Sequence, residues 1–462
     1  MAAGQAAQVD ATGEPVGRFF FGLLSALFIA LHLGGVGSGL VNPVLLVILL
    51  VAGFWLAARM AAPFAAWPLP VYLHLCVLFL ACVLLSAFNR QPGEVLEGLV
   101  TFLPKMLVSM ALADLLRDWP RTVCAARILL VTTALVALCG VAQSLAWLWF
   151  DLEYSLADEF FRYSFLPDLT LLRATAFART ANQFVPPVLA AALICVAWAS
   201  ALPKGRERRW LWALAAVDGA AIVLSMVRGA WLALALALAL LPLVRVPRRA
   251  LRWAGPLLAL AAFAWAGGLV HEVANSLVEL GQGGVNERTE LLAAGVAAML
   301  GSFNGVGINN FSPRSPTFEA YPVHNLFIQI GSELGVPGLL AFLFLLAWVG
   351  VRLLRAARHA PTTDARLLTS ALAGGLFAVL ILCLSEPLAY SQFVWIYLAV
   401  CEAGARNAFA PAAAPGPADR RPPATPRPGP VGARAVRPNV AGVTSVSRVL
   451  PVESADASAN PA

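Results

Sequence analysis

Long stretches without a charged residue constrain the fold of this chain more than any other feature. Residues 19–58 are 40 consecutive positions with no Asp, Glu, Lys or Arg, and comparable runs recur as far as Cys401. A helix needs about 20 residues to cross about 30 Å of hydrocarbon. Apolar residues make up 60% of the chain and charged residues 12%, against about 25% charged in soluble domains. The sequence therefore predicts an all-α, polytopic membrane protein.

The apolar runs divide into about 12 predicted transmembrane helices, and the basic residues predict their orientation. With the amino terminus in the cytoplasm, 24 of the 32 Lys and Arg residues fall in inside segments, seven fall outside, and Lys105 lies within a span. Basic residues concentrate on the cytoplasmic side of membrane proteins, so both termini are predicted to be cytoplasmic. Residues 95–116, which contain Glu97 and Lys105, fit least well and are counted as the fourth span.

Two predicted periplasmic loops, residues 151–181 and 271–323, are too long to be simple turns, and such loops are usually functional. The second contains an apolar stretch, residues 291–300, that predicts a short helix packed at the membrane face. Residues 403–462 contain 11 prolines and no Trp or Tyr. They predict a disordered cytoplasmic tail that follows a transmembrane domain of residues 1–402.

His324 begins the segment with the clearest chemical pattern. It precedes an apolar run in which Gly331, Gly335 and Gly338 allow close approach between helices. An imidazole at the junction of a loop and the membrane suits proton transfer with a substrate. The alternative is an interfacial histidine that only caps a helix.

The string from Tyr321 to Gly338, with its His-Asn pair and its Glu-Leu-Gly-x-x-Gly-Leu-Leu run, resembles the signature of the O-antigen ligase and polymerase family of bacterial membrane glycosyltransferases. Three further passages are similar to family motifs in the same order, so the resemblance covers about residues 174–350. They are Arg179-Thr180-Ala181-Asn182-Gln183, Ser225-Met226-Val227-Arg228-Gly229-Ala230-Trp231-Leu232, and Glu287-Arg288-Thr289-Glu290 followed by Gly305-Val306-Gly307-Ile308-Asn309-Asn310-Phe311. Val227 is a departure, because the family often has Ser there.

The resemblance implies a glycan donor on undecaprenyl diphosphate at the periplasmic face of the bacterial inner membrane, and a lipid A core, glycan or protein acceptor. It implies that His324 is the catalytic residue and that arginines bind the diphosphate through bidentate guanidinium contacts. The implied diphosphate-binding residues are Arg228, Arg288 and Arg179, and the implied supporting residues are Asn182, Asn325 and Asn309. No cofactor, no metal and no nucleic-acid partner is expected.

Two of these arginines also have a simpler interpretation. Arg228 lies at the predicted outer end of a span, where an arginine side chain reaches lipid headgroups. Arg288 has Glu287 and Glu290 as near neighbours, so a solvated ion pair is the alternative there.

Three rival functions stay open. A polymerase or a protein O-oligosaccharyltransferase of the same family is not separated from a ligase by any short motif. A metal-dependent glycosyltransferase would use Asp151 and Glu153 as its paired acids. A transporter or flippase would use ionisable residues within spans, for which Lys105, Asp218 and His74 are the candidates. The internal repeats frequent in transporters are not evident in this sequence.

Overall fold

The structure, a computed structural model, describes residues 15–32, 43–60, 70–88, 92–150, 152, 162–166, 169–178, 180–240, 282–311, 323–388 and 391–409. In chain order its elements are α1 (Pro15–His32), α2 (Pro43–Met60), α3 (Val71–Ala87), α4 (Pro92–Leu115), α5 (Trp119–Phe150), β1 (Arg162–Leu166), β2 (Leu169–Leu172), α6 (Ala181–Ala201), α7 (Arg206–Leu224), α8 (Arg228–Leu240), α9 (Gln282–Gly301), α10 (Leu326–His359), α11 (Thr363–Cys383) and α12 (Gln392–Asn407). The predicted all-α membrane fold is confirmed, with one short β-hairpin added in this part of the chain.

Several of these helices are long and apolar enough to cross a membrane. Within the described ranges there are five, namely α4, α5, α6, α10 and α11, and shorter apolar helices lie in α1, α2, α3, α8 and α9. Residues 95–116, the weakest of the predicted spans, overlap α4, which is thus a candidate span. The predicted ninth span, residues 253–270, lies outside the described residues, and the count of 12 spans stays a prediction.

Proline and threonine help to set where helices begin. Pro15, Pro43 and Pro92 occupy the first positions of α1, α2 and α4, where the missing N–H group would have no helical partner. Thr362 caps α11, because its hydroxyl group accepts a hydrogen bond from the N–H of Ala365 at 3.2 Å. Such a cap satisfies one of the free donors of the first turn.

Aromatic rings join four helices in the core. Trp395 of α12 packs against Phe79 of α3, Phe102 of α4 and Phe342 of α10, with ring centroids 5.3, 5.3 and 5.6 Å from its own. All four side chains are buried. Tilted and edge-on ring pairs at these distances are favourable beyond simple burial, so the cluster fixes α3, α4, α10 and α12 against one another.

The described part of the first long loop contains a β-hairpin and is more than a plain connection. Strands β1 and β2 pair antiparallel within it. Directly after β2, the N–H of Ala174 donates to the carbonyl oxygen of Leu224 at 3.0 Å, and Nε of Arg173 donates to that of Ser225 at 2.9 Å. The segment that leads into α6 is therefore attached to the end of α7.

Polar and charged side chains connect α2 to α4 and α5 to α7. Asp114 of α4 accepts a hydrogen bond of 2.8 Å from the indole N–H of Trp55 and forms a buried ion pair with Arg59 of α2. Arg127 of α5 and Glu207 of α7 lie 3.6 Å apart. Two of the basic residues predicted to lie inside, Arg59 and Arg127, are thus paired with acids of neighbouring helices.

The last helix continues beyond the predicted end of the transmembrane domain. The sequence placed the boundary at residue 402, but α12 runs to Asn407 and Ala403 is buried. Arg406 donates to the carbonyl oxygens of Ala113 and Leu116 at 2.8 and 2.7 Å. These contacts satisfy carbonyl groups at the end of α4 that lack helical partners. The tail predicted to be disordered otherwise lies outside the described residues from position 410.

Candidate active site

The candidate site is built around the start of α10. Asn325 caps this helix, since its Oδ1 accepts hydrogen bonds from the N–H groups of Phe327 and Ile328 at 2.9 and 3.1 Å. Its Nδ2 donates to the carbonyl oxygen of Leu384 at 3.1 Å. The predicted supporting residue Asn325 therefore fixes the start of α10 to the end of α11, and His324 immediately precedes this cap.

A carboxylate that the sequence analysis did not select lies beside the predicted catalytic histidine. Oε2 of Glu386, between α11 and α12, is 4.0 Å from Nδ1 of His324, and the two side chains are only 6% and 13% exposed. Nδ2 of Asn182 donates a hydrogen bond of 2.6 Å to the same carboxylate oxygen. We call His324, Glu386 and Asn182 the His324 cluster. The imidazole and the carboxylate are within ion-pair distance for a protonated histidine, and both are largely shielded from solvent.

The start of α8 approaches the same turn. The backbone at Gly229 passes directly against the hydroxyl group of Ser385, so no larger residue fits there without displacing it. Arg228, the first residue of α8, is exposed. The first turns of α6, α8 and α10 thus all contact residues 384–386. Helix N-termini carry partial positive charge and bind anions, so this convergence suits a phosphate-bearing ligand.

The turn that positions Arg228 is held by local hydrogen bonds. The N–H of Val227 donates to Oγ of Ser225 at 3.3 Å, and the indole N–H of Trp231 donates to the carbonyl oxygen of Ile222 at 3.0 Å. Met226 has a φ of 56°, a left-handed conformation that is uncommon outside glycine. Contacts rather than an intrinsic preference therefore maintain this turn.

The loop after α9 hydrogen-bonds to a break in α10. Gly335 has a φ of 70° inside α10, which frees carbonyl groups of the preceding turn. The carbonyl oxygens of Ser332 and Glu333 accept from the N–H groups of Val306 and Gly307 at 2.8 and 3.0 Å. This pairing, which we call the Gly335 junction, joins two motifs that the sequence presents as separate.

Asn309 and Glu333 extend the Gly335 junction. The backbone N–H of Asn309 donates to Oε2 of the buried Glu333 at 2.9 Å, and Nε2 of Gln329 donates to the other carboxylate oxygen at 3.3 Å. Asn309, predicted to support the site, thus contributes through its backbone to the position of the loop.

Arg288 belongs to α9, which packs along the first part of α10. Gly295 contacts Ile328, and Gly331 contacts Met299, and neither glycine has room for a side chain. The helix predicted at residues 291–300 is present and begins earlier, at Gln282. Only the backbone of Arg288 is described, so its side-chain contacts stay a prediction.

Three other candidates, Arg179, Asp151 and Glu153, lie outside the described residues. Among the residues that are described, no three His, Cys, Asp or Glu side chains are grouped closely enough to hold a metal ion. The intramembrane candidates for transport lie on separate helices. Lys105 and Asp218 are buried in α4 and α7, and His74 is exposed on α3.

Comparison with known families supports the resemblance seen in the sequence. Residues 210–343 match the family model of O-antigen ligase (Wzy_C). The matched segment contains Arg228, Arg288 and His324 and ends within α10, whereas Asn182 and Glu386 lie on either side of it. The match supports a membrane glycosyltransferase role of ligase or polymerase type in polysaccharide biosynthesis. No curated protein matches the chain.

Proposed function

We propose that the protein transfers a glycan from undecaprenyl diphosphate to an acceptor hydroxyl group at the periplasmic face of the inner membrane, in lipopolysaccharide or surface polysaccharide biosynthesis. The observation that carries this proposal is the His324 cluster, which lies where the first turns of α6, α8 and α10 meet. It combines a histidine–carboxylate pair with positive helix ends. The O-antigen ligase match provides the reaction class.

His324 is the proposed general base. Glu386 adjoins Nδ1, so it favours the tautomer in which Nδ1 carries the proton and Nε2 is free to accept one. The hydrogen bond from Asn182 holds the carboxylate in place. A positioned general base contributes about 10² to 10⁴ in rate.

The proposed reaction is a displacement at the anomeric carbon. The acceptor oxygen forms a bond to this carbon while the bond to the diphosphate oxygen breaks, and the electron pair of that bond leaves with the lipid diphosphate. The hydroxyl proton passes to Nε2 of His324. Attack opposite the leaving group inverts the anomeric centre, and this scheme requires no metal.

Positive charge is needed where the diphosphate departs. Arg228 begins α8, whose first turn contacts the turn that holds Glu386, and it is proposed to bind the diphosphate together with the nearby helix N-termini. Arg288 and Arg179 are proposed for the same role. Asn325 and Asn309 support the site indirectly, because they hold α10 and the loop after α9 in place.

Transfer assays with the purified full chain, lipid-linked glycan and EDTA test this function. Product on lipid A core indicates a ligase, product on a second lipid-linked glycan indicates a polymerase, and product on protein indicates an O-oligosaccharyltransferase. Folded protein that transfers to none of them contradicts the proposal, and altered solute uptake in a deletion strain would then favour the transporter. Activity lost only in EDTA contradicts the metal-free scheme and directs attention to Asp151 and Glu153.

The proposed orientation places both termini in the cytoplasm of the bacterial inner membrane. Its support is the distribution of basic residues. In a variant without native cysteines, Arg228→Cys, at an exposed position, should react with an impermeant thiol reagent in outer-membrane-permeabilised cells, and Arg206→Cys should not. Labelling at position 206 alone would contradict the proposed orientation and indicate the opposite one.

A further inference from the structure

A groove lies between α3 and α10, far along α10 from His324. Its volume is about 490 Å³. The lining residues are Val71, Leu75, Phe344, Ala347, Trp348, Val351, Arg352 and Arg355. Phe344 is 62% exposed and Val351 is 47% exposed, so the groove is open on its outer side. Its wall is apolar along most of its length and cationic at one end.

The two arginines of the groove have different surroundings. Arg352 forms an ion pair with the buried Glu402 of α12, and its guanidinium carbon lies 5.3 Å from the ring centroid of Trp348. Arg355 is exposed, and no ion pair to it occurs within the described part of the chain. The lining contains no acid. One positive charge at this end of the groove is therefore not balanced by its lining.

The length of the groove matches one leaflet of a bilayer. Its residues on α10 recur at helical spacing from Phe344 to Arg355, so they form one stripe along the helix. Eleven residues of helix rise about 16 Å, and half of the hydrocarbon core is about 15 Å thick. With Arg355 at the headgroup level, Phe344 therefore lies near the middle of the membrane.

We propose that this groove binds an anionic phospholipid of the leaflet opposite the His324 cluster. The phosphate contacts Arg355 and the edge of Arg352, and one acyl chain lies along Ala347 and Phe344. Basic pockets between transmembrane helices are known sites for anionic lipid headgroups. This site is separate from the proposed glycan-transfer site, because His324 precedes the first residue of α10 and Arg355 lies near the last.

Native mass spectrometry of the purified full chain tests the site. Dioleoyl phosphatidylglycerol and dioleoyl phosphatidylcholine are titrated separately. We expect phosphatidylglycerol to bind about fivefold more tightly, the effect of about one additional charge contact. Arg355→Ala should remove this preference. Ala347→Trp, which fills the groove, should weaken the binding of both lipids.

Two substitutions on the same helix serve as matched controls. Arg358→Ala removes an exposed arginine that does not line the groove, and Leu340→Trp adds an indole at an exposed position outside it. Both should bind phosphatidylglycerol as the wild type does. Equal affinity for the two lipids, or equal losses in Arg355→Ala and Arg358→Ala, would overturn the proposal in favour of diffuse surface charge.

The glycan-transfer assay keeps this proposal distinct from the proposed function. His324→Ala should lose transfer and retain phosphatidylglycerol binding, whereas Arg355→Ala should retain transfer in detergent. Loss of phosphatidylglycerol preference in His324→Ala would contradict the separation of the two sites.

Discussion

Nδ1 of His324 lies 4.0 Å from Oε2 of Glu386, and both side chains are nearly buried. The two residues belong to turns at the ends of different helices, and the amide group of Asn182 fixes the carboxylate from a third helix. Because three separate parts of the chain contribute, the position of the imidazole depends on the packing of α6, α10 and α11 together.

Replacing the imidazole should abolish most of the proposed activity. His324→Ala is expected to lower kcat by about 10² to 10⁴, with a smaller effect on KM, since a base acts mainly in the transition state. The measurement is transfer kinetics with lipid-linked glycan. His359→Ala is the matched control, because His359 is exposed at the other end of α10. Turnover near the wild-type value in His324→Ala would exclude this residue as the base.

Removing the charge of Glu386 tests its positioning role. Glu386→Gln keeps the shape and an acceptor for Asn182, and should lower kcat at least about tenfold, or about 1.4 kcal/mol of barrier. Loss of a neighbouring negative charge disfavours the imidazolium, so the acid limb of the pH–rate profile should move to lower pH. Glu290→Gln, at an exposed position on α9, should change neither quantity. An unshifted profile would leave Glu386 with a structural role only.

Arg228 should act on the donor. Arg228→Ala is expected to raise the KM for lipid-linked glycan and to lower kcat by about 10² to 10³, the effect of removing one stabiliser of developing charge. Arg228→Lys should restore activity only partly, because an ammonium group lacks the bidentate fork. Arg206→Ala is the control, since Arg206 is exposed at the start of α7. Equal activities for Arg228→Ala and the wild type would favour a headgroup contact instead.

The Gly335 junction should be sensitive to a single methyl group. Gly335→Ala places a Cβ against the carbonyl oxygen of Phe303 and forces alanine to a φ of 70°, a backbone strain of about 1–3 kcal/mol by itself. Its unfolding temperature in detergent should fall. Gly350→Ala, in the same helix with open space around the added Cβ, should be neutral or slightly stabilising. Equal unfolding temperatures for the two variants would contradict the importance of the junction.

Two truncations should distinguish the contribution of the last helix from that of the tail. Deleting residues 411–462 is expected to leave transfer within about tenfold of the wild type. Deleting residues 403–462 should reduce the amount of folded protein, because Nδ2 of Asn407 donates to the carbonyl oxygens of Leu116 and Asp118 at 2.7 and 3.1 Å. The two truncated proteins are compared by their size-exclusion profiles, which report the folded yield, and by their transfer activity. A large loss of activity in the shorter deletion, at normal yield, would assign a role to the tail.

The sequence predicted the fold class correctly because that class depends on local signals. It singled out His324 for the same reason, and the catalytic role of His324 stays a prediction. Long uncharged runs directly predict helices that cross a membrane, and the residues around His324 form a contiguous motif. Glu386 offered no such signal. It is a single acid between two apolar runs, and its partner Asn182 comes from a distant helix.

The Gly335 junction shows a second limit of sequence analysis. Gly305, Gly307 and Gly335 all lie within motifs that are similar to those of the family, but their spacing does not show that the loop after α9 pairs with carbonyl groups of α10. That contact depends on a helix break with positive φ. A glycine near a proline in an apolar run is also common in ordinary transmembrane helices.

The separation of 204 residues from Asn182 to Glu386 sets an order of events during biosynthesis. At about 5–20 residues per second, translation reaches Glu386 about 10 to 40 s after Asn182. In the last part of that interval, once His324 has been translated, the nascent chain has its candidate base and arginines but lacks the carboxylate that adjoins the imidazole. A chain that ends after α11 therefore contains the whole segment that matches the O-antigen ligase model but lacks Glu386 of the candidate site.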